Sequence, residues 1–486
     1  MKYSKYAVPG LLWTTGVAAA LALAGCGGGS DDDGGVTRPR AYILNSMVLP
    51  ASAIKSAVVA PVSLGAAVQT HLVVLPALDT EKAEADDTGP ALQIGVQRAV
   101  AATSTVAQTQ SALQWSSLPN GQQAAAINIQ STGAYGLRAG VLVDSLPDGA
   151  LLRIYSQEHP DAIVERSGAE INALLAQNRK AGETGTAANT WWTPDVGAGD
   201  ATVEVVLPAG TATNALRISI PMVSHIYQNL SLPTEAEWAE MAKADNSGSC
   251  NLDASCTNHY QTERNAVARM VYTRANGRTY MCTGTLLNNT KADYTPYFLT
   301  ANHCISTQSV ASTLQTNWFY RSSSCNSGVP GTNSALRTAG ATLLYAISTT
   351  DSSFLQLNEM PPVGVTLAGW DARTAGQTGD AVYGLHHPGG SLLKYSVGAI
   401  AGYSNCNFDS GGYDCSSGDA DSNFYSVRWS QGTTEGGSSG SSLFSNGRVI
   451  ATLYGGGASC RTPDATDDYG RFDKVFSNRI WSWLAR

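Results

Sequence analysis

The sequence predicts a mainly β protein with more than one domain, and three observations point there. Short apolar runs alternate with Gly, Asn, Ser and Asp turns through the middle and the C-terminal half, the spacing of antiparallel strands. Only 14% of the 486 residues are charged and 49 are glycine, a loop-rich composition unlike that of a cytosolic helical protein. Eight of the nine cysteines lie after residue 249, and an even set in an exported chain implies disulfides. A chain this long exceeds what one core usually organises. Its net charge of −8 argues against nucleic acid as a partner.

Residues 1–25 read as an export signal, with Lys2 and Lys5 ahead of the apolar run 11–24. Leu23-Ala24-Gly25-Cys26 resembles the bacterial lipobox, which implies that Cys26 is diacylated and anchors the chain to a membrane. A plain signal peptide and an uncleaved anchor are the competing readings, and the run is short for spanning. Residues 26–110 show no sustained period and are taken as a flexible tether with partial order. Strand-like runs then follow at 125–130, 136–143, 151–155, 201–207 and 215–220, separated by turns such as Leu146-Pro147-Asp148-Gly149. Residues 111–243 are therefore expected to form a β-sandwich-like module, with one inserted helix at 167–181. The module contains no cysteine and no cluster of catalytic residue types, so a pro-domain and a binding module compete for it. Trp191-Trp192 suits core or interface better than a sugar platform.

Residues 233–244 read as a short helix leading into a turn-rich joint, where Lys243 is the one basic residue before Cys250. From Cys250 onward strand-like runs recur at 266–273, 343–347, 381–385 and 449–454. Residues 477–486 read as a closing amphipathic helix capped by Ser477, with Ile480, Trp481 and Leu484 inward.

The chemistry concentrates in three stretches. Thr434-Glu435-Gly436-Gly437-Ser438-Ser439-Gly440-Ser441 sets a hydroxyl among glycines that permit a tight turn. Thr300-Ala301-Asn302-His303-Cys304 delivers an imidazole to a strand end beside a cysteine. Asp351 precedes the alternating run 352–357. Together these resemble the chymotrypsin-like serine proteases, and with Cys282-Thr283-Gly284-Thr285-Leu286 they resemble most the bacterial lysyl endopeptidases. The likeness covers roughly residues 245–486.

The resemblance implies a pair of six-stranded antiparallel barrels in residues 244–486, with His303 as general base, Asp351 as its orienting carboxylate and Ser439 as nucleophile. Gly437 and Ser439 would supply the oxyanion-hole N–H groups. It also implies the pairs Cys250–Cys460, Cys256–Cys325 and Cys282–Cys304, leaving Cys406–Cys415. Gly436-Gly437-Ser438-Ser439-Gly440 also fits a hydrolase elbow with Ser438 as the serine, but no histidine follows residue 387, as that elbow requires. Ser438 stands where many relatives carry an aspartate that pairs with the freshly cut N-terminus, so activation cannot use that pair. The acid six residues before the nucleophile is also missing, since Thr433 lies there, and Asp467 before Tyr469-Gly470-Arg471 is the substitute. Alternation lets only one of Asp467 and Asp468 point inward. Tyr454 and Gly455 would line the substrate pocket edge. His386-His387 is read as supporting structure, and His71, His159, His225 and His259 receive no role.

No metal motif, nucleotide motif or cofactor site is present in the sequence. The expectation is an exported, membrane-anchored serine endopeptidase made as a precursor with its own pro-domain, acting on protein or peptide substrates after basic residues. Its protease domain would remain at the cell envelope or be released outside. The rival is a non-catalytic surface lipoprotein in which the sandwich binds and the protease-like half is scaffold.

Overall fold

The computed structural model describes residues 41–54, 61, 64, 68–78, 91–229, 248–373, 376–409 and 412–486. The Cys26 motif, the 233–244 helix and Lys243 lie outside the described residues.

In the C-terminal half, alternation of apolar and polar residues curls two sets of strands around separate cores. The first set runs Gln315–Trp318, Val267–Thr273, Thr279–Leu287, Tyr297–Ala301, Ser352–Leu357, Ala341–Ile347, each antiparallel to the next. Met270, Cys282, Phe298, Trp318 and Leu355 fill its interior. The second set closes on itself: Arg448–Gly456, Ser442–Ser445, Ala381–His386, Lys394–Asp409, Phe424–Gln431, Thr466–Arg471 and back to Arg448–Gly456, all antiparallel. Closure leaves these six strands no edge for adventitious pairing. Between the sets lies a third core of Trp370, Phe354, Phe444, Phe472 and Phe476, all fully buried. This is the double-barrel architecture expected of a chymotrypsin-like protease.

Four disulfides join Cys250–Cys460, Cys256–Cys325, Cys282–Cys304 and Cys406–Cys415. The Cys282–Cys304 pair closes a 22-residue separation, worth about 3 kcal/mol in the chain-entropy account.

The N-terminal half has its own core, in which Ile127, Val141, Leu152, Val203 and Ile218 meet. One layer is a sheet ordered Thr70–Leu75, Gln123–Ser131, Asp200–Leu207, Leu151–Tyr155, Val164–Ser167. The facing strands, Thr190–Trp192, Gly136–Ser145, Arg217–Ile226 and Leu92–Ala99, do not end as a separate sheet. Leu92–Ala99 pairs antiparallel with Thr279–Leu287, so they continue into the first barrel. The inserted helix spans Gly168–Lys180, and Ser167 and Glu170 form its capping box. Trp191 and Trp192 are buried, Trp191 in the core, so neither forms an exposed platform.

Two expectations need correction. Residues 26–110 are not a tether throughout: Ile43–Leu44 pairs with Gly369–Asp371, Met47–Val48 with Thr366–Leu367, and Thr70–Leu75 and Leu92–Ala99 are sheet strands. Leu92–Ala99 escaped notice because it buries residues in succession and lacks the alternation that marks a half-exposed strand. Ile43–Leu44 and Met47–Val48 are two residues each, too short to show a period. Ser477 is not a helix cap either. The helical run starts at Phe472, after Arg471, and continues through Leu484 with Ser477 inside it. Burial of Phe472, Val475 and Phe476 against the inter-barrel core extends the helix upstream of the serine.

Candidate active site

His303 follows the strand Tyr297–Ala301, and Asp351 precedes the neighbouring strand Ser352–Leu357. Because these strands pair in register with Ala301 opposite Ser352, the two side chains emerge at the same sheet end. The His303 Nδ1–H donates to Asp351 Oδ2 at 2.6 Å, and the His303 backbone N–H donates to Oδ1 at 2.8 Å. Both carboxylate oxygens are thus engaged by one residue, which fixes the imidazole's tautomer and tilt. Asp351 adopts φ +44°, a left-handed conformation costly for a non-glycine residue and often found at functional sites. Both side chains are buried, and His303 Nε2 has no hydrogen-bond partner among the described residues.

Strand Thr279–Leu287 ties this pair to the serine loop. Cys282 is bonded to Cys304, the neighbour of His303, while the Thr283 N–H donates to the Ser439 carbonyl at 2.8 Å. Thr283 Oγ1–H also donates to the Gly437 carbonyl at 2.8 Å. Consecutive residues of one strand therefore grip both the histidine and the serine segments. Gly437 and Gly440 have φ of +92° and +81°. A β-carbon at Gly440 would lie 2.2 Å from Thr300 Oγ1 and 2.5 Å from the Thr283 carbonyl, so glycine is required there.

Ser438 and Ser439 have different surroundings. The Ser438 hydroxyl is fully buried and meets His386 Nδ1 at 2.8 Å, and His386 Nε2 meets Ser396 Oγ at 3.0 Å. Burial pushes the His386 imidazole down to about 3, and that of His387 likewise to about 3. His386 is thus a neutral support under the loop. Sequence reasoning placed it as support but missed its partner, because 52 residues separate the two. It also missed Glu435, whose Oε2 accepts from the Gly248 N–H at 2.7 Å and from Asn251 Nδ2 at 3.0 Å, docking the first described residues of this half beside the loop.

A cavity of about 780 Å³ is lined by His303, Asp351, Tyr454, Phe424 and Arg274, together with Glu183 from the N-terminal half. The Tyr454 ring lies edge-on to His303, centroids 6.0 Å apart. Asp467 is not on the cavity wall. It is fully buried at the Arg448–Gly456/Thr466–Arg471 pairing, opposite Gly456, with Gly455 opposite Asp468. Its Oδ2 accepts from Trp429 Nε1 and Thr434 Oγ1, both at 2.7 Å, and Oδ1 accepts from the Ala458 N–H at 3.3 Å. Burial outweighs these three bonds and pushes the carboxyl up to about 6. A β-carbon on Gly456 would stand 2.3 Å from Oδ1, so only glycine fits opposite the carboxylate. The competing reading of Asp464, Asp467 and Asp468 as one solvated acidic loop does not hold for the adjacent pair. Asp468 is also buried, and it accepts from Ser404 Oγ because strand Lys394–Asp409 covers the opposite face.

Among the described residues, the two groupings with metal-ligand proximity are Cys282, His303, Cys304 and Cys406, Cys415, Asp468. Each contains a disulfide whose sulfurs are already spent. No helix among the described residues is long and apolar enough to cross a membrane.

Comparison with known proteins adds an independent line. Residues 244–470 match the family model described as "Lysyl endopeptidase, C-terminal domain", and residues 67–227 match "Lysyl endopeptidase N-terminal domain". A curated "Lysyl endopeptidase" of Pseudomonas aeruginosa is 33% identical over 408 residues, covering 80% of each chain. A "Secreted RxLR effector protein 73" of Plasmopara viticola is 33% identical over only 121 residues, 24% of this chain and 28% of its own. Among solved structures, the active form of the Rv3671c protease of M. tuberculosis is 18% identical with TM-score 0.30, covering 53% of this chain and 89% of its own. The HtrA-type protease AlgW with tripeptide is 14% identical with TM-score 0.29, covering 46% and 62%. An N-terminal and a C-terminal family match in order, with a relative aligned across both, establish that the chain belongs to the lysyl endopeptidase family.

Proposed function

We propose that this serine endopeptidase cuts after basic residues with His303, Asp351 and Ser439 as its triad. The observation that carries the reading is the two-point grip of Asp351 on His303, which leaves Nε2 as the proton acceptor. Ser439 Oγ attacks the scissile carbonyl while His303 Nε2 takes its proton, and Asp351 stabilises the imidazolium. The N–H groups of Gly437 and Ser439 receive the developing oxyanion. Collapse breaks the C–N bond, and the leaving amine takes the proton from His303. Water then repeats the sequence on the acyl-enzyme and frees the serine.

Asp467 gives the pocket its charge preference. Its carboxylate is costly to ionise when unpaired, so a substrate lysine or arginine that reaches it is stabilised and an uncharged side chain is not. Tyr454 and Gly455 form the pocket edge. Cleavage after Lys243 separates the N-terminal half, the pro-domain, with residues 111–243 and the strands Thr70–Leu75 and Leu92–Ala99, from the protease domain 244–486. Removal of residues 1–25 and acylation of Cys26 place the precursor at the cell envelope.

The test is turnover of paired peptides that differ only in having lysine, arginine or norleucine at the cut. Ser439→Ala is expected to lower kcat by several orders of magnitude with the fold intact and to accumulate uncut precursor. Ser438→Ala is expected to retain much of the activity. The reverse result overturns the assignment.

A further inference from the structure

The strand Leu92–Ala99 is shared by the two halves. On one side it pairs with Arg217–Ile226 of the N-terminal half, and on the other with Thr279–Leu287 of the first barrel. Its register on the barrel strand places Leu92 opposite Met281, Gln93 opposite Tyr280 and Gly95 opposite Thr279. Met281 immediately precedes Cys282 and Thr283, the residues that grip the histidine and serine segments. The N-terminal end of the shared strand is therefore the end nearest the site.

Contacts from two other directions agree. Leu92 lies against the serine loop: a β-carbon on Gly436 or Gly437 would sit 3.5 or 3.4 Å from its Cδ atoms. Ala91 is buried in the same cluster as Cys282 and Cys304, the disulfide beside His303. Leu92 and Ile94 join Ile226, Val271 and Met281 in one apolar cluster, and Gln93 Oε1 accepts from Arg278 at 3.3 Å.

The strand's polarity gives this placement its meaning. When a peptide bond is cut, the departing fragment has its new amino end at the nucleophile, beside the histidine that protonates it, and its body runs away from the site. Residues 91–95 have that polarity and lie beside the histidine's disulfide. We propose that they occupy the leaving-group half of the substrate cleft. The edge Thr279–Met281 that they cover is then the surface on which a substrate's residues beyond the cut add as a strand. The N-terminal half thus blocks the cleft by holding a sheet edge in the manner of a departing product, and substrates favour apolar residues at the positions that Leu92 and Ile94 fill. This rests on the endopeptidase reading above.

The test uses the full chain carrying Ser439→Ala, which cannot cut itself, and two fluorescent peptides. One ends at a lysine amide, and the other continues about four residues beyond the lysine. Adding Leu92→Asp is expected to tighten binding of the longer peptide by about tenfold, on the scale of a partly buried leucine, and to leave the shorter one unchanged. Leu92→Ala, which adds no charge and serves if the aspartate disturbs folding, is expected to shift the longer peptide in the same direction by less. Unchanged affinity of the longer peptide in both variants, or an equal shift of both peptides, overturns the proposal. Turnover of lysyl peptides by the unsubstituted protein, before and after the halves are separated, is measured alongside. Its absence refutes the endopeptidase reading, while the two affinities still judge the strand.

Discussion

Asp467 offers a test in which stability and specificity move oppositely. Burial raises its carboxyl from 3.8 to about 6 despite hydrogen bonds from Thr434, Trp429 and Ala458. Between those values the folded protein keeps a proton that the unfolded chain has released, so stability falls as pH rises through the window. At 1.36 kcal/mol per unit, a shift of that size makes the loss about 3 kcal/mol, complete above about pH 7. Asparagine does not titrate. Asp467→Asn also gives up one acceptor oxygen, a constant cost of roughly 1–3 kcal/mol that does not depend on pH. The stability difference between the two proteins is therefore expected to move by about 3 kcal/mol toward the variant from about pH 3.5 to about pH 8. Urea unfolding across that range, with both proteins in the Ser439→Ala background to prevent self-digestion, measures it. In the active background the same substitution removes the partner of a buried cation, and kcat/KM on lysyl peptides is expected to fall about 100-fold or more. Parallel pH profiles of stability, with undiminished lysyl turnover, refute the reasoning.

Two further outcomes follow from other residues. The His386 imidazole is held down at about 3 while an unfolded histidine protonates near 6.5, so the unfolded chain takes up the proton first and stability declines as pH falls through that interval. His386→Gln is expected to flatten that decline, and an unchanged acid limb in urea titrations counts against the buried neutral histidine. Cys26→Ser is expected to move the protein from the membrane to the soluble fraction, since acyl burial contributes about 0.8 kcal/mol per methylene. Unaltered fractionation, with no lipid mass on the N-terminal peptide, removes the anchor from the account.

The sequence by itself determined what depends on local chemistry and order. Alternation marked many of the strands, and Ile171, Leu174 and Leu175 spaced on one face marked the inserted helix of the N-terminal half. The order of His303, Asp351 and Ser439, set among Gly437, Gly440 and Cys304, singled out the candidate site. Only the tertiary structure decided which groups share a face or a partner across long separations. His386 and Ser438 meet across 52 residues, and Glu435 holds Gly248 across 187. Asp467 and Asp468 point to opposite faces as alternation demands, yet both are buried because neighbouring strands cover both faces. The strand Leu92–Ala99 hid for the same reason. Flanked on both sides, it buries residues in succession and shows no period, and its partners are chosen by a sheet edge in the other half of the chain.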